Sequence, residues 1–187
     1  AVNLETGKLM WMTKVDDHPN ATATAQPVLY KNVVYQPVSS LEEAAAVDPT
    51  YTCCSFRGSV VALDAASGEE IWKSYTIKEE PKQVGVSSAG LPVLAPSGAP
   101  LWNTPAVDEQ RGLLYMGTGG NYSSPSQETS DALLAMDLEN GDIKWSRQTT
   151  SGDAWNVACF PSVPSHANCP EENGPDVDFG AAMIHVL

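Results

Sequence analysis

Short stretches of alternating apolar and polar residues, separated by turn-forming residues, run along this chain and predict β-strands. One stretch recurs three times as a phrase of eleven residues. All copies share a small first residue, Asn or Asp two residues later, Gly six residues later and Trp ten residues later. The copies read A-V-N-L-E-T-G-K-L-M-W at 1–11, A-L-D-A-A-S-G-E-E-I-W at 62–72 and A-M-D-L-E-N-G-D-I-K-W at 135–145. A phrase repeated at long intervals indicates a repeat architecture.

The phrase has the properties of a β-hairpin. Its first half alternates as a half-buried strand does, and its Asn or Asp side chain can cap the turn. The Gly supplies the positive φ that a tight turn needs, and the Trp falls on the returning strand, where it can pack between sheets. These positions are Asn3, Asp64 and Asp137, then Gly7, Gly68 and Gly141, then Trp11, Trp72 and Trp145.

Another pair of predicted strands precedes each of the later copies. Thr22–Leu29 and Val33–Val38 precede the second copy, and Leu101–Val107 and Leu113–Thr118 precede the third. Two hairpins make four antiparallel strands, which is one blade of a propeller. The sequence therefore predicts an all-β fold, a partial β-propeller with about two complete four-stranded blades plus part-blades.

We predict a single partial propeller domain over residues 1–187. Its segments are the end of one blade at 1–15, a blade at 22–76, a second blade at 99–150, a cysteine-bearing loop at 151–178 and the first strand of a further blade at 179–187. The first residue already lies inside a repeat and the last inside a predicted strand. Because an open arc exposes blade faces, we expect the chain to be a fragment of a longer protein.

Composition narrows the possible partners. The 187 residues are 42% hydrophobic, which is enough for a core, and no apolar run approaches the length of a membrane span. The formal net charge of −13 disfavours nucleic acid and anionic membrane surfaces as partners on electrostatic grounds. We therefore predict no nucleic-acid partner and no membrane span.

The four cysteines lie in predicted loops, which favours an oxidising compartment, so we expect a periplasmic or secreted protein. Cys159 and Cys169 flank a Pro-rich loop that a disulfide between them would close. Cys53 and Cys54 are adjacent, and neighbouring Cα atoms lie closer together than in most disulfides. Besides this vicinal pair, two free thiols or cross-links to Cys159 or Cys169 stay open.

The repeated phrase resembles the tryptophan-docking motif of the PQQ-dependent (quinoprotein) alcohol dehydrogenases. Further phrases are similar to the polyvinyl-alcohol dehydrogenase branch of that family. They are V-S-S-L-E-E at 38–43, C-C-S-F-R-G at 53–58, G-T-G-G-N-Y-S at 117–123, G-D-A-W-N-V-A-C at 152–159 and N-C-P-E-E-N-G-P-D-V-D-F-G at 168–180. The resemblance implies part of a propeller of about eight blades that binds pyrroloquinoline quinone (PQQ) and Ca²⁺.

The resemblance also implies metal ligands. An ungapped count from Pro27 makes Glu42 the calcium-binding glutamate, and a gap of one residue makes it Glu43. Carboxylates are the ligands that Ca²⁺ prefers, although both glutamates could instead be solvated loop residues. Asn121 follows the G-T-G run where the family has an amide ligand, but this chain has one additional Gly.

For PQQ, the resemblance implies a set of binding residues around the cofactor. Hydroxyl side chains would contact its carboxylates, an indole would stack on its ring, and an arginine in the F-R-G turn would lie at or behind it. The corresponding residues are Thr24, Ser39, Ser40, Trp102 and Arg57. Each also has an ordinary structural interpretation.

The general base must be a carboxylate, which a neighbouring cation would keep ionised. Where methanol-type members have D-x-W-D-Y, this chain has D-A-W-N, which places Asn156 at the position of the aspartate. Alignment by the following strand makes Asp178 the base instead, with Asp176 and Asp153 as alternatives. Asp178 could also simply cap the strand entrance. Cys53-Cys54 is similar to the family's vicinal disulfide but lies in a different loop.

The resemblance implies a periplasmic enzyme that oxidises polyvinyl alcohol or another secondary or primary alcohol by hydride transfer to calcium-bound PQQ. Its partners would be the small or polymeric alcohol, a cytochrome-type electron acceptor and the remaining blades, without which we expect the fragment to be inactive. A non-catalytic propeller scaffold is the first alternative, and a calcium-dependent extracellular binding module is the second.

Overall fold

A computed structural model describes residues 1–184 and shows a nearly all-β chain. The strands are β1 (Ala21–Thr22), β2 (Val28–Tyr30), β3 (Val33–Ser40), β4 (Ser59–Asp64), β5 (Glu70–Tyr75), β6 (Lys82–Val86), β7 (Pro92–Ala95), β8 (Ala106–Asp108), β9 (Leu113–Gly117), β10 (Ala132–Asp137) and β11 (Ile143–Gln148). One short helix, α1 (Glu42–Ala45), follows β3, and a 3₁₀ turn spans Val157–Cys159. No helix within residues 1–184 is long and apolar enough to cross a membrane.

Nine strands form two antiparallel sheets, and eight of them have the connectivity of two propeller blades. The first sheet follows the order β2-β3-β4-β5, and β1 pairs with the end of β3. The second follows the order β8-β9-β10-β11. Apart from β1, every strand of these two sheets pairs with the next one along the chain, as a meander requires. The predicted fold class is therefore confirmed.

The repeated phrase forms the predicted hairpins. In its second copy, Asp64 Oδ1 accepts hydrogen bonds from the backbone N–H of Ala66 at 2.9 Å and of Ser67 at 2.8 Å. Gly68 closes the turn between β4 and β5 with a φ of 76°. The third copy repeats this arrangement at Gly141, with a φ of 74°, between β10 and β11. A side-chain cap and a left-handed glycine thus define each turn.

Tryptophans of the phrase connect successive repeats. Trp11 packs on Gly68 of the next copy and donates its indole N–H to the Ala65 carbonyl at 3.0 Å. Trp72 packs in the same way on Gly141 and donates to the Leu138 carbonyl at 3.3 Å. Each tryptophan therefore docks on the turn of the following blade. Trp145 is 45% exposed in the described part of the chain.

Strand alternation supplies two apolar faces. The first joins the two blades, since Val60 and Ala62 of β4 pack with Leu114 and Met116 of β9 and with Leu134 of β10. The other face of the first blade packs on loops of both blades, and the buried members of this cluster are Val38, Val61, Leu63, Phe56, Cys53, Cys54, Ala46 and Tyr122. Successive residues of β4 serve opposite faces, as the two-residue period of a strand requires.

The strands that begin each blade are shorter than predicted. The stretch predicted at Thr22–Leu29 contains only Thr22 of β1 and the first residues of β2, and the stretch at Leu101–Val107 contains only the start of β8. Pro27 and Pro105 immediately precede β2 and β8, and a proline donates no ladder hydrogen bond. The hairpin of β6 and β7 was not predicted, because it carries no copy of the phrase.

The predicted strand at 179–187 is not formed in its described part, residues 179–184, and residues 185–187 lie outside the described residues. Phe179 N–H donates to the Thr118 carbonyl at 3.4 Å, and Met183 N–H donates to the Thr104 carbonyl at 3.2 Å. These bonds attach the described part of the segment to the second blade. The segment boundaries given above stay a prediction.

Both favoured cysteine pairs are confirmed. Disulfides join Cys53 to Cys54 and Cys159 to Cys169, so none of the four cysteines is free. The second bond closes part of the long loop at 151–178, whose only helical turn is Val157–Cys159.

Candidate active site

The candidate site lies at the end of the blades opposite the Asp-Gly turns of the phrase. Four isolated backbone bridges connect the loops at this end, in the order Arg57, Gly98, Asn121, Ala154 and Asn173. They hold the loops of both blades together through main-chain pairing alone. The loops that carry the predicted site residues therefore converge on one region.

Asp178 is held at this end by two hydrogen bonds. Its Oδ1 accepts from the Gly120 N–H at 2.7 Å, and its Oδ2 accepts from the Trp102 indole N–H at 3.1 Å. A Cβ at position 119 would lie 2.8 Å from both carboxylate oxygens, so only glycine leaves room there. The G-T-G-G run thus forms a cradle for Asp178.

Several carboxyl groups converge around Asp178 and raise one another's pKa. Burial raises the pKa of Glu43 to about 7, and the charges of Asp178 and Asp176 contribute. Burial likewise raises the pKa of Asp176 to about 6, with Asp178 and Asp153 contributing. Burial also raises the pKa of Asp178, although its hydrogen bonds from Gly120 and Trp102 oppose the shift. We call Glu43, Asp176 and Asp178 the acidic cluster, a region of strong negative potential.

Asp131 lies beside this cluster and was missed by sequence analysis. It is fully buried, and within residues 1–184 neither carboxylate oxygen makes a hydrogen bond of good geometry, although the nearby Ser130 side chain opposes the rise of its pKa. Burial raises its pKa to about 8, helped by the charges of Asp153 and Asp178. Its backbone is left-handed, with a φ of 47°. An Asp before a strand is so common in turns that its sequence context contains no signal for this environment.

Asp153, one of the alternatives for the base, has a different place. Its side chain is fully buried, and its oxygens accept hydrogen bonds from the N–H groups of Asp176 at 3.1 Å and Val177 at 3.0 Å. It therefore positions the D-V-D segment and is not open to a substrate. Asn156 is also buried and donates to the carbonyls of Tyr122 at 3.1 Å and Asn168 at 2.7 Å.

Glu42 and Glu43 face different surroundings although they are adjacent. The Glu42 carboxylate is fully buried and accepts from the N–H groups of Ser55 at 2.9 Å and Phe56 at 2.7 Å, and from the Tyr51 hydroxyl. Burial would raise its pKa, but the hydrogen bonds, with His18 first among them, outweigh burial and lower it. Glu42 thus organises the loop before β4, whereas Glu43 belongs to the acidic cluster.

Asn121 is fully buried, and its amide is occupied on both sides. Its nitrogen donates to the Ser97 carbonyl at 2.7 Å, and its oxygen accepts from the Gln127 N–H at 2.7 Å. Arg57 lies away from the cluster and donates to the carbonyls of residues 77–79, with its guanidinium 3.9 Å from the centre of the Tyr75 ring. Both side chains have clear structural roles.

The remaining predicted cofactor residues are distributed around the ends of the first strands. Thr24 is exposed, whereas Ser39 and Ser40 are buried, and the Ser40 hydroxyl accepts from the Glu42 N–H at 2.9 Å. Trp102 is 39% exposed, and the edge of its ring contacts Gly180. Within residues 1–184, Trp102 is the one predicted cofactor-binding residue that hydrogen-bonds to the acidic cluster, through Asp178.

The cluster fits a cation in charge and in donor chemistry. Carboxylate oxygens are the ligands of hard divalent cations, and a bound positive charge would relieve the repulsion that raises these pKa values. However, no three His, Cys, Asp or Glu side chains among residues 1–184 lie close enough to one another to hold a metal ion on their own. Any resident cation would need further ligands from outside this group.

Propeller blades with carboxylates and an indole at one end match the arrangement that the resemblance to quinoprotein dehydrogenases implies. The chain belongs to the family described as PQQ, glucose/ethanol/alcohol dehydrogenase, beta-propeller domain, whose profile matches residues 1–177. The resemblance seen in the sequence is thereby confirmed.

Curated relatives include two polyvinylalcohol dehydrogenases. The chain is 42% identical to that of Sphingopyxis sp. (strain 113P3) over 99% of its own length and 28% of the relative's. It is 38% identical to that of a Pseudomonas sp. over 100% of its own length and 29% of the relative's. The chain therefore spans less than a third of the length of these relatives.

A solved structure supports the fold. The quinohemoprotein alcohol dehydrogenase of Comamonas testosteroni superposes with a TM-score of 0.61 at 22% identity, covering 83% of this chain and 25% of the other. At this identity the similarity concerns the arrangement of the blades alone.

Proposed function

We propose that this chain is part of a periplasmic or secreted quinoprotein dehydrogenase that oxidises an alcohol. The substrate would be polyvinyl alcohol or another secondary or primary alcohol, and a cytochrome-type protein would receive the electrons. Relatives named polyvinylalcohol dehydrogenase and quinohemoprotein alcohol dehydrogenase support the substrate class and the acceptor. The two disulfides support an oxidising compartment.

The acidic cluster is the observation that supports this proposal most strongly. A general base needs a carboxylate whose pKa lies within reach of neutral pH, at a position that a substrate can enter. Asp178 keeps part of its surface open to solvent, although the surrounding groups desolvate its carboxylate enough to raise its pKa. Hydrogen bonds from Gly120 and Trp102 orient it. In our proposal, Asp178 removes the hydroxyl proton of the alcohol, with Asp176 as the alternative acceptor.

Glu43 is our candidate for holding Ca²⁺ together with Asp178, and Trp102 is our candidate for contacting PQQ. When bound, PQQ supplies the acceptor for the hydride from the alcohol carbon, and Ca²⁺ would polarise its quinone carbonyl. Glu43 contributes negative charge, which a bound cation would neutralise. The same cation would keep Asp178 ionised, so that Asp178 can accept the proton. Further blades would complete the ring around this site.

The test uses the complete propeller protein with PQQ, with and without Ca²⁺. PQQ binding is followed by absorbance, and alcohol oxidation by a dye-linked assay. We expect oxidation to require both additions, and Asp178→Asn to lower kcat at least about 1,000-fold while PQQ still binds. Asp142→Asn, at the exposed opposite end, is the matched control and should retain activity.

Other outcomes would change the assignment. Failure of the complete protein to bind PQQ would support the scaffold alternative. Binding of PQQ with full activity in Asp178→Asn would remove Asp178 as the base and direct attention to Asp176.

A further inference from the structure

A cavity of about 410 Å³ lies beside the candidate site. One wall is the hairpin of β6 and β7, and the opposite wall is the loop that the Cys159–Cys169 disulfide closes. The vicinal pair Cys53–Cys54 and Tyr122 also line it. We call this cavity the hairpin groove. Its size is typical of small-molecule sites and of single segments of longer ligands.

Both walls of the hairpin groove are attached to the blades. The Leu94 N–H of β7 donates to the Cys53 carbonyl at 3.0 Å, which ties the hairpin to the vicinal pair. In the opposite wall, the Asn168 amide donates to the carbonyls of Ala46 at 3.0 Å, Asp48 at 3.0 Å and Tyr51 at 3.2 Å. The groove is therefore preformed, which lowers the entropy cost of binding.

The lining of the groove combines branched apolar side chains with serines. Val84 and Val86 of β6 line it while remaining 60% and 64% exposed, and Val93 adds a third branched apolar side chain. The serines are at positions 87 and 88 in the hairpin and at positions 123 and 124 in the loop that follows β9. Exposed valines beside serines match a ligand that presents methylene and hydroxyl groups in turn.

Charge narrows the class of ligand further. No Lys or Arg is among the described residues that line the groove, and Glu171 contributes a negative charge. The chain as a whole has a formal net charge of −13. An anionic polymer would be repelled, whereas a neutral one would not.

Tyr122 connects the hairpin groove to the loop that holds Asp178. Its buried side chain lines the groove, and it directly follows Asn121, which takes part in the backbone bridges of the site loops. Gly120, two residues before Tyr122, donates its N–H to Asp178 Oδ1 at 2.7 Å. The groove therefore lies beside the loop that positions Asp178.

We propose that the hairpin groove binds a neutral, flexible carbon chain with hydroxyl groups on alternate carbons, next to the carbon that reacts. This inference rests on the proposed alcohol oxidation and deepens it. Segments of the polymer outside the reacting unit contact Val84, Val86 and the serines, so a polymer binds more tightly than a short alcohol of the same chemistry. The β6–β7 hairpin is then the element that confers preference for polymers.

The binding test uses the complete protein and fluorescein-labelled polyvinyl alcohol, with fluorescence anisotropy as the readout. We expect the double variant Val84→Glu, Val86→Glu to weaken binding at least about tenfold, because it places charged, hydrated groups on the apolar wall. Gln83→Glu is the matched control, since it adds a charge beside Val84 at a position that does not line the groove. The control should bind within about twofold of the unmodified protein.

A kinetic comparison separates the groove from the reacting centre. In the double variant, kcat/KM for the polymer should fall at least about tenfold, and kcat/KM for 2,4-pentanediol should stay within about twofold. Equal losses on both substrates, unchanged binding of the labelled polymer, or equally tight binding of labelled dextran would each overturn the proposal.

The two proposals fail in different ways. If polymer binding depends on Val84 and Val86 but no alcohol is oxidised with PQQ and Ca²⁺, the catalytic proposal is wrong and the groove assignment stands. If alcohols are oxidised but the valine variant behaves as the control does, the groove assignment is wrong and the catalytic proposal stands.

Discussion

At the scale of single residues, the position of Asp178 depends on residue 119 being glycine, which has no side chain. A Cβ there would lie 2.8 Å from the carboxylate oxygens and displace them. We expect Gly119→Ala in the complete protein to lower kcat about 10- to 100-fold, because small misplacements of a catalytic group are costly. Steady-state alcohol oxidation measures the effect.

The neighbouring glycine is the matched comparison for this prediction. A Cβ at Gly120 would have its nearest contact 3.7 Å away, an ordinary van der Waals distance, and the N–H that binds Asp178 would remain. Gly120→Ala should therefore have the smaller effect. Equal losses in both variants would show that the cradle does not act through the space at position 119.

Asp131 should make stability depend on pH. Its folded pKa of about 8 exceeds the ordinary value of 3.8, so between these limits the folded state holds a proton that the unfolded state has lost. Its contribution is complete below pH 3.8 and is lost as the pH rises toward about 8, with a slope of at most about 1.4 kcal/mol per pH unit. Asp131→Asn should flatten this decline.

Urea unfolding of the metal-free protein at pH 5 and at pH 8 tests this expectation. Asn tolerates the left-handed backbone of position 131, so the comparison isolates the carboxyl group. Parallel loss of stability in the variant and the unmodified protein would show that other groups, such as Glu43, cause the decline.

Residue roles could be predicted only in part, because side chains that are adjacent in sequence can point to different surroundings. Motif counting selects Glu42 or Glu43 equally well, but the backbone turn into α1 directs the first to Ser55 and the second to the acidic cluster. The placement of Asp178 was a prediction from strand alignment, and its bonds to Gly120 and Trp102 arise only when loops 58 and 76 residues apart meet. Such contacts have no local sequence signal.

At the scale of elements, the contribution of tryptophan docking to stability can be measured separately from the backbone strain of the turn. A Cβ at Gly141 would lie 2.7 Å from the Trp72 ring, in addition to the strain of a φ of 74°. Gly112 also has a positive φ, 67°, but nothing within 4 Å of such a Cβ. We expect Gly112→Ala to cost about 1–2 kcal/mol of unfolding free energy, and Gly141→Ala about 2 kcal/mol more.

Chemical denaturation of the two variants provides the measurement. The difference between them reports the Trp72 contact, since both share the backbone penalty. A difference near zero would show that the ring moves aside at no cost.

Elements were predicted well where local chemistry determines them. The Asp, Gly and Trp of the phrase each favour one position of a hairpin, so β4–β5 and β10–β11 follow from sequence alone. The β6–β7 hairpin could not be predicted, because its pairing depends on contacts such as that of Leu94 with Cys53. The strands β2 and β8 are short because the prolines that precede them donate no ladder hydrogen bond.

At the scale of the whole molecule, the face around Trp145 indicates a further blade in the complete protein. Trp11 and Trp72 each dock on a following turn, whereas Trp145 is 45% exposed beside Tyr115 and Met183. We expect Trp145→Ala in the complete protein to cost about 3 kcal/mol or more of unfolding free energy, as Trp72→Ala should. Thermal or urea unfolding of both variants tests this.

A cost below about 1 kcal/mol for Trp145→Ala, beside a large cost for Trp72→Ala, would contradict docking at this face.

The propeller itself was predictable because repetition is a global signal: three copies of one phrase require three equivalent environments. The hairpin groove could not be predicted, because its walls come from segments outside the repeated phrase.

The phrase turns and the site loops occupy opposite ends of the blades, and this separation has a practical outcome for protein engineering. Loops such as 42–57 and 151–178 can be exchanged between relatives without replacing any residue of the Trp11–Gly68 and Trp72–Gly141 contacts. Grafting of these segments should therefore change which alcohols are accepted while the thermal tolerance of the host ring is inherited.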